Sequence, residues 1–133
     1  MTKGVSQRLL QALQEIEAMG YVDMHYSQDH SEAKMNALAF PAMMLNVSSI
    51  RYEKQTTNTS SRIIEFSLLL LVKNDDGSAE NEFMTHDLLD QIHAKVRALP
   101  HFTTKEVSRI DRDIERYSQY VAYQIFIEHV ESV

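Results

Sequence analysis

Ile63 to Val72, IIEFSLLLLV, lies between the polar Ser60-Ser61-Arg62 and the turn-forming Asn74-Asp75-Asp76-Gly77-Ser78. Its opening alternates apolar with polar, and its β-branched and aromatic residues favour a pleated strand. From Leu68 onward both faces are apolar, so a strand here leaves neither side to water. A chain of 133 residues has enough helix to cover one face of such a sheet. The second face, carrying Leu69 and Leu71, is expected to need another subunit.

Working outward, Phe40-Pro41 leads into AMMLNVSSIRYE, residues 42–53. Proline is tolerated at a strand's mouth because its missing N–H need not join a ladder. Met43, Leu45 and Val47 make one alternating face, so the adjacent Met44 points the other way. Lys54, Gln55, Thr56, Thr57, Asn58, Thr59, Ser60 and Ser61 contain no apolar anchor and read as a long, mobile hairpin tip to the Ile63–Val72 strand.

Two helices flank this hairpin. Val5, Leu9, Leu13 and Ile16 recur at three-and-four spacing, predicting a helix over Ser6 to Met19 closed by Gly20. Met84, Leu88, Ile92, Val96 and Leu99, widened by Phe83 and Leu89, predict a second that Pro100 stops. Its early Glu80, Glu82, Asp87 and Asp90 and late Lys95 and Arg97 complement the helix dipole. Tyr21 to Tyr26 alternates as a short edge strand, and the polar residues after it read as loop. From Thr103 to the end two antiparallel strands are expected, turning near Tyr117 to Gln119, with Val121, Tyr123, Ile125 and Ile127 on one face of the last. The sum is one α+β domain of two layers, an antiparallel sheet of four to five strands with both helices on one face.

Composition narrows the function classes. There are no cysteines, which removes disulfides, thiolate metal sites and a cysteine nucleophile. The net charge is −6, with the acidic excess in the second half. That is the opposite of the basic footprint that grips nucleic acid, so sequence-specific binding is not expected. The first twenty residues lack the unbroken hydrophobic run of a secretory signal. No segment reaches the roughly 18 apolar residues of a membrane span, so a cytoplasmic protein without membrane contact is expected.

Chemical motifs are sparse. None of the six histidines pairs at i, i+4 spacing, so solvated or edge positions are favoured over metal ligation. Asp111, Asp113 and Glu115 would project from one side of a strand and could hold a hard cation of the Mg²⁺ type, giving a small enzyme of phosphate chemistry as one alternative. A solvated strand face, moderated by Arg109, Arg112 and Arg116, is the simpler reading. Asn74 to Gly77 lacks the remaining ligands of a calcium loop. No phosphate loop or nucleophile elbow occurs, and neither catalytic residues nor a cofactor are assigned. The methionines fill core gaps in the simplest reading, with Met43 and Met44 the pair of which one could leave the core. A dimeric adaptor using Met43 or Met44 is a further alternative.

The order of elements resembles that of the tail-terminator and tail-completion proteins of long-tailed phages and prophages. The points of likeness are Phe40-Pro41 opening a strand, a long polar hairpin, an apolar strand, a helix ending near Leu99-Pro100 and a final pair closing on YVAYQIFIEHV. The likeness spans nearly the whole chain as an arrangement, not as a signature motif. It implies a non-enzymatic protein forming a homo-oligomeric ring, commonly of six subunits, at the end of the tail tube. The ring would contact tail-tube and head-connector proteins, in the cytoplasm during assembly and then in the virion or phage-tail-like particle. The interface would involve Met43, Met44, Leu69, Leu71 and Lys54 to Ser60, with the polar tip as a docking loop that orders on assembly. The polar Tyr26 to Asn36 stretch and the dense charge from Asp111 to Arg116 depart from the pattern.

Overall fold

The computed structural model describes residues 2–24, 41–73, 79–110 and 120–132. The element order is α1 (Thr2–Gln14), β1 (Tyr21–Met24), β2 (Ala42–Lys54), β3 (Ser60–Lys73), α2 (Ala79–Ala98), β4 (Phe102–Ile110) and β5 (Tyr120–Ser132). The strands form one sheet in the order β1-β2-β3-β5-β4, an α+β architecture with the Ile63–Val72 ribbon at its centre. That position follows from its composition, since a strand apolar over much of both faces is buried best between two neighbours.

The sheet is mixed, where an antiparallel one was expected. β1 runs parallel to β2, with Val22 opposite Met43 and Met24 opposite Leu45, while every other pair is antiparallel. A parallel neighbour needs a connection of about a dozen residues or more, and residues 25–41 supply that length. Pro41 helps set the register, its carbonyl accepting the Gly20 and Tyr21 amides at 2.8 and 3.2 Å.

Paired residues share a face, so the register sorts the core. Met43 and Leu45 of β2, Ile64, Phe66, Leu68 and Leu70 of β3, and Ile125 and Ile127 of β5 lie on one side. They form a single buried cluster with Val5, Leu9, Leu13 and Ile16 from the α1 region and Leu88, Ile92 and Val96 from α2. α1 starts four residues before the expected Ser6 and ends at Gln14. Ile16 and Met19 are carried instead by successive i→i+3 turns, their amides bonding Leu13 and Ile16 carbonyls at 3.2 and 3.1 Å.

α2 ends before Leu99, where the following Pro100 disfavours helical backbone. His101 then takes a left-handed φ of 69° to turn the chain into β4. The helix does not bury its whole predicted stripe: Phe83 and Met84 are 66% and 64% exposed. Glu15 and Lys95, 3.1 Å apart, tie the turn after α1 to α2. Among the described residues no helix is long and apolar enough to cross a membrane.

The second face of β3 differs most from expectation. Along that face run Ser61, Ile63, Glu65, Ser67, Leu69 and Leu71, so only Ile63 and the neighbouring Leu69 and Leu71 are apolar there. Leu71 is 0% and Met44 3% exposed within the single chain, in a small cluster with Ala122 bordered by Tyr21, Leu69 and Ile110. Burial of Tyr21 in this border, helped by the nearby Asp23 carboxylate, pushes its phenol pKa up. Apolarity on two sides therefore does not by itself demand another subunit.

Candidate functional site

Met44 and Lys54 lie ten residues apart on β2, about 33 Å at the rise of a strand. The residues expected at an interface therefore divide between two ends of the ribbon. Met44, Leu69 and Leu71 meet at one end, where Met44 pairs with Leu69 and Ala42 with Leu71. Met43 faces the helices and is fully buried; of these four, only Leu69 keeps partial exposure. At the other end Lys54, Gln55, Thr56, Thr57, Asn58 and Thr59 are exposed and Ser60 half-buried.

The tip is a closed turn, not the expected loose loop. β2 and β3 stay paired to Lys54 opposite Ser60, so only residues 55–59 connect them. Gln55 and Thr56 amides donate to the Thr59 carbonyl at 2.9 and 3.1 Å. Thr56 Oγ1 lies 2.6 Å from Thr59 Oγ1 and accepts from the Thr59 amide at 3.2 Å. The Thr56 hydroxyl, which also accepts from the Asn58 amide at 3.4 Å, supplies the local side-chain bonds that shape this turn.

Below the tip the ribbon forms an arm that outruns its helical cover. A bulge between Val47 and Ser49 resets the alternation, so Ile50 and Tyr52 fall on the helix side, opposite Ile64 and Arg62. They are nevertheless 42% and 66% exposed. On the other side Arg51 donates to Glu65 at 2.9 Å, and Ser49 Oγ donates to the same carboxylate at 3.0 Å. β1 pairs β2 only over Ala42 to Leu45, so among the described residues no strand lines the outer edge of β2 from Asn46 to Lys54. The arm thus offers an exposed ladder edge, two apolar side chains and alternating charges.

Sequence reading passed over Ile50 and Tyr52. The signal was present in Ser49-Ile50-Arg51-Tyr52-Glu53, which keeps alternating beyond the point that Met43, Leu45 and Val47 define as core. It also passed over a polar group at the arm's base. Arg62 is nearly buried and ion-paired with Glu131, its register partner. His129, opposite Ile64, is 0% exposed, and neither ring nitrogen has a hydrogen-bond partner. Phe102 packs on its ring at 4.5 Å between centroids. Burial, reinforced by the positive charges of Arg8, His101 and Arg62, lowers its pKa to about 4, so the imidazole is neutral at physiological pH.

A depression of about 220 Å³ on the opposite sheet face is lined by Glu65, Lys105, Phe126 and Glu128. Glu65 and Glu128 stand directly opposite each other in the ladder. Arg51 neutralises the first and Lys105, 3.9 Å away, the second, which makes this a balanced cross-strand charge array. Among the described residues no three His, Asp or Glu side chains are grouped to hold a metal ion. Asp111, Asp113 and Glu115 lie outside the described residues. No protein-family model matches the chain, and no curated protein matches it.

Proposed function

We propose that this chain is a structural morphogenesis protein of phage or prophage tails, of the tail-terminator or tail-completion type. In this reading it acts as a homo-oligomeric ring at the end of the tail tube, joining the tube to head-connecting proteins. The observation that carries the reading is the β2–β3 arm, whose exposed end from Ile50 through the Gln55–Thr59 turn presents a pre-shaped contact surface. A turn already closed by its own hydrogen bonds loses little entropy when a partner takes hold of it. The element order supports the reading through its resemblance to that family, and the charge of −6 suits a ring whose lumen must let DNA slide.

Mass photometry of the purified chain, followed by negative-stain microscopy with and without polymerised tail tube, tests the proposal. Rings with a central hole, free or capping tube ends, are the expected result. A chain that remains smaller than a ring at every concentration and leaves tube ends bare would overturn it.

A further inference from the structure

We propose that the outer edge of β2 pairs with the same edge of a second copy, in an antiparallel ladder whose two-fold axis passes through Tyr52. The occupant follows from the residues along the edge. In antiparallel pairing both members of a pair turn their backbone N–H and C=O the same way, so beyond the bulge a self-paired β2 aligns residues of equal parity. Centring the ladder on Arg51 sets two like charges opposite each other, and centring it on Glu53 does the same. Centring it on Tyr52 instead places Arg51 opposite Glu53 of the partner subunit and Glu53 opposite the partner's Arg51. Centring on Ile50 leaves both charges without an opposite partner. The Tyr52 register alone turns the charge pattern into two reciprocal attractions.

Ile50 and Tyr52 share the helix-side face and are 42% and 66% exposed. In this register Tyr52 meets its symmetry mate, and each Ile50 lies opposite Lys54 of the partner subunit, whose aliphatic stem can cover it while the ammonium stays in water. Arg51 and Glu53 lie on the opposite face with Glu65 and Ser61. Arg51 engages Glu65 through one guanidinium nitrogen, and its fork carries further N–H donors for the partner's Glu53. An isologous edge contact of this kind closes at two chains, so it cannot generate a ring and does not depend on the ring reading. It describes a dimer of free chains or the joining of two rings.

The absence of cysteine from the chain makes a direct test available. Tyr52→Cys, at the two-fold axis, should form an intermolecular disulfide under mild oxidation much faster than Ile50→Cys or Thr57→Cys, because opposed strand residues have Cα spacings that a disulfide spans. Separately, sedimentation of Glu53→Arg should show association weakened about tenfold, since two attractive pairs become repulsive. Arg51→Glu alone should be similarly weak, and mixing the two variants should restore association as a heterodimer, with circular dichroism confirming that each is folded. Equal cross-linking at all three positions, or no recovery on mixing folded variants, overturns the proposal. Ring formation by the Glu53→Arg variant would leave the ring reading standing while the edge contact is judged on its own.

Discussion

His129 sits on the buried face that Ile125 and Ile127 define, not at the solvated or edge position expected of the histidines, and its ring nitrogens find no hydrogen-bond partner. The consequence is a pH dependence of stability. The unfolded chain binds the proton near pH 6.5, while the folded chain does so only near pH 4. Stability is thus fully present above pH 6.5 and is lost as pH falls from there toward 4. Urea unfolding at pH 7 and pH 5 should differ by about 2 kcal/mol from this group. In His129→Leu that contribution disappears, and the variant should be at least as stable as the parent at pH 5, because an apolar side chain leaves no buried polar atom unsatisfied. An unchanged pH difference in the variant would remove the assignment. No sequence pattern marks this histidine, because His-rich spacing speaks to metal binding and burial of one imidazole depends on what the fold packs above it.

At the scale of elements, α2 shows how far periodicity carries. Met84, Leu88, Ile92 and Val96 form one stripe in the sequence, and the helix exists where that stripe predicts. The stripe cannot reveal where the sheet beneath it ends. Ile92 is buried against the sheet cluster, whereas Met84 stands in the helix's first two turns at 64% exposure. Ile92→Ala should cost about 3 kcal/mol in chemical denaturation, by lost transfer energy and a residual cavity, and Met84→Ala less than about 0.5. The hairpin teaches the reverse lesson. Polar composition placed the loop between the correct strands, yet it exaggerated the loop's length and looseness, because the Thr59 carbonyl and the Thr56 hydroxyl satisfy the backbone amides locally. Amide exchange should show the Gln55, Thr56 and Thr59 N–H groups protected relative to Thr57. Uniformly fast exchange across residues 55–59 would contradict the closed turn.

For the whole molecule, the decisive question is which apolar residues belong to one chain's core and which are available to a neighbour. Sequence placed Leu69 and Leu71 together on the second face and assigned that face to a subunit contact. The order of elements along the chain and the alternation were legible, but the closing of Leu71, Met44 and Ala122 into a cluster depends on the register of three strands at once. The two leucines should therefore respond differently to a charge. Leu71→Asp places a carboxylate at a fully buried position and should cost at least about 3 kcal/mol, lowering the unfolding temperature whether or not any oligomer forms. Leu69→Asp, at a half-buried position on the same face, should leave more of the thermal stability intact. If Leu69→Asp also abolishes assembly at concentrations where it remains folded, the rim of this cluster is a ring contact. If assembly persists and is lost only on altering the arm at Tyr52 or in the Gln55–Thr59 turn, the subunits meet at the other end of the ribbon, about 33 Å away.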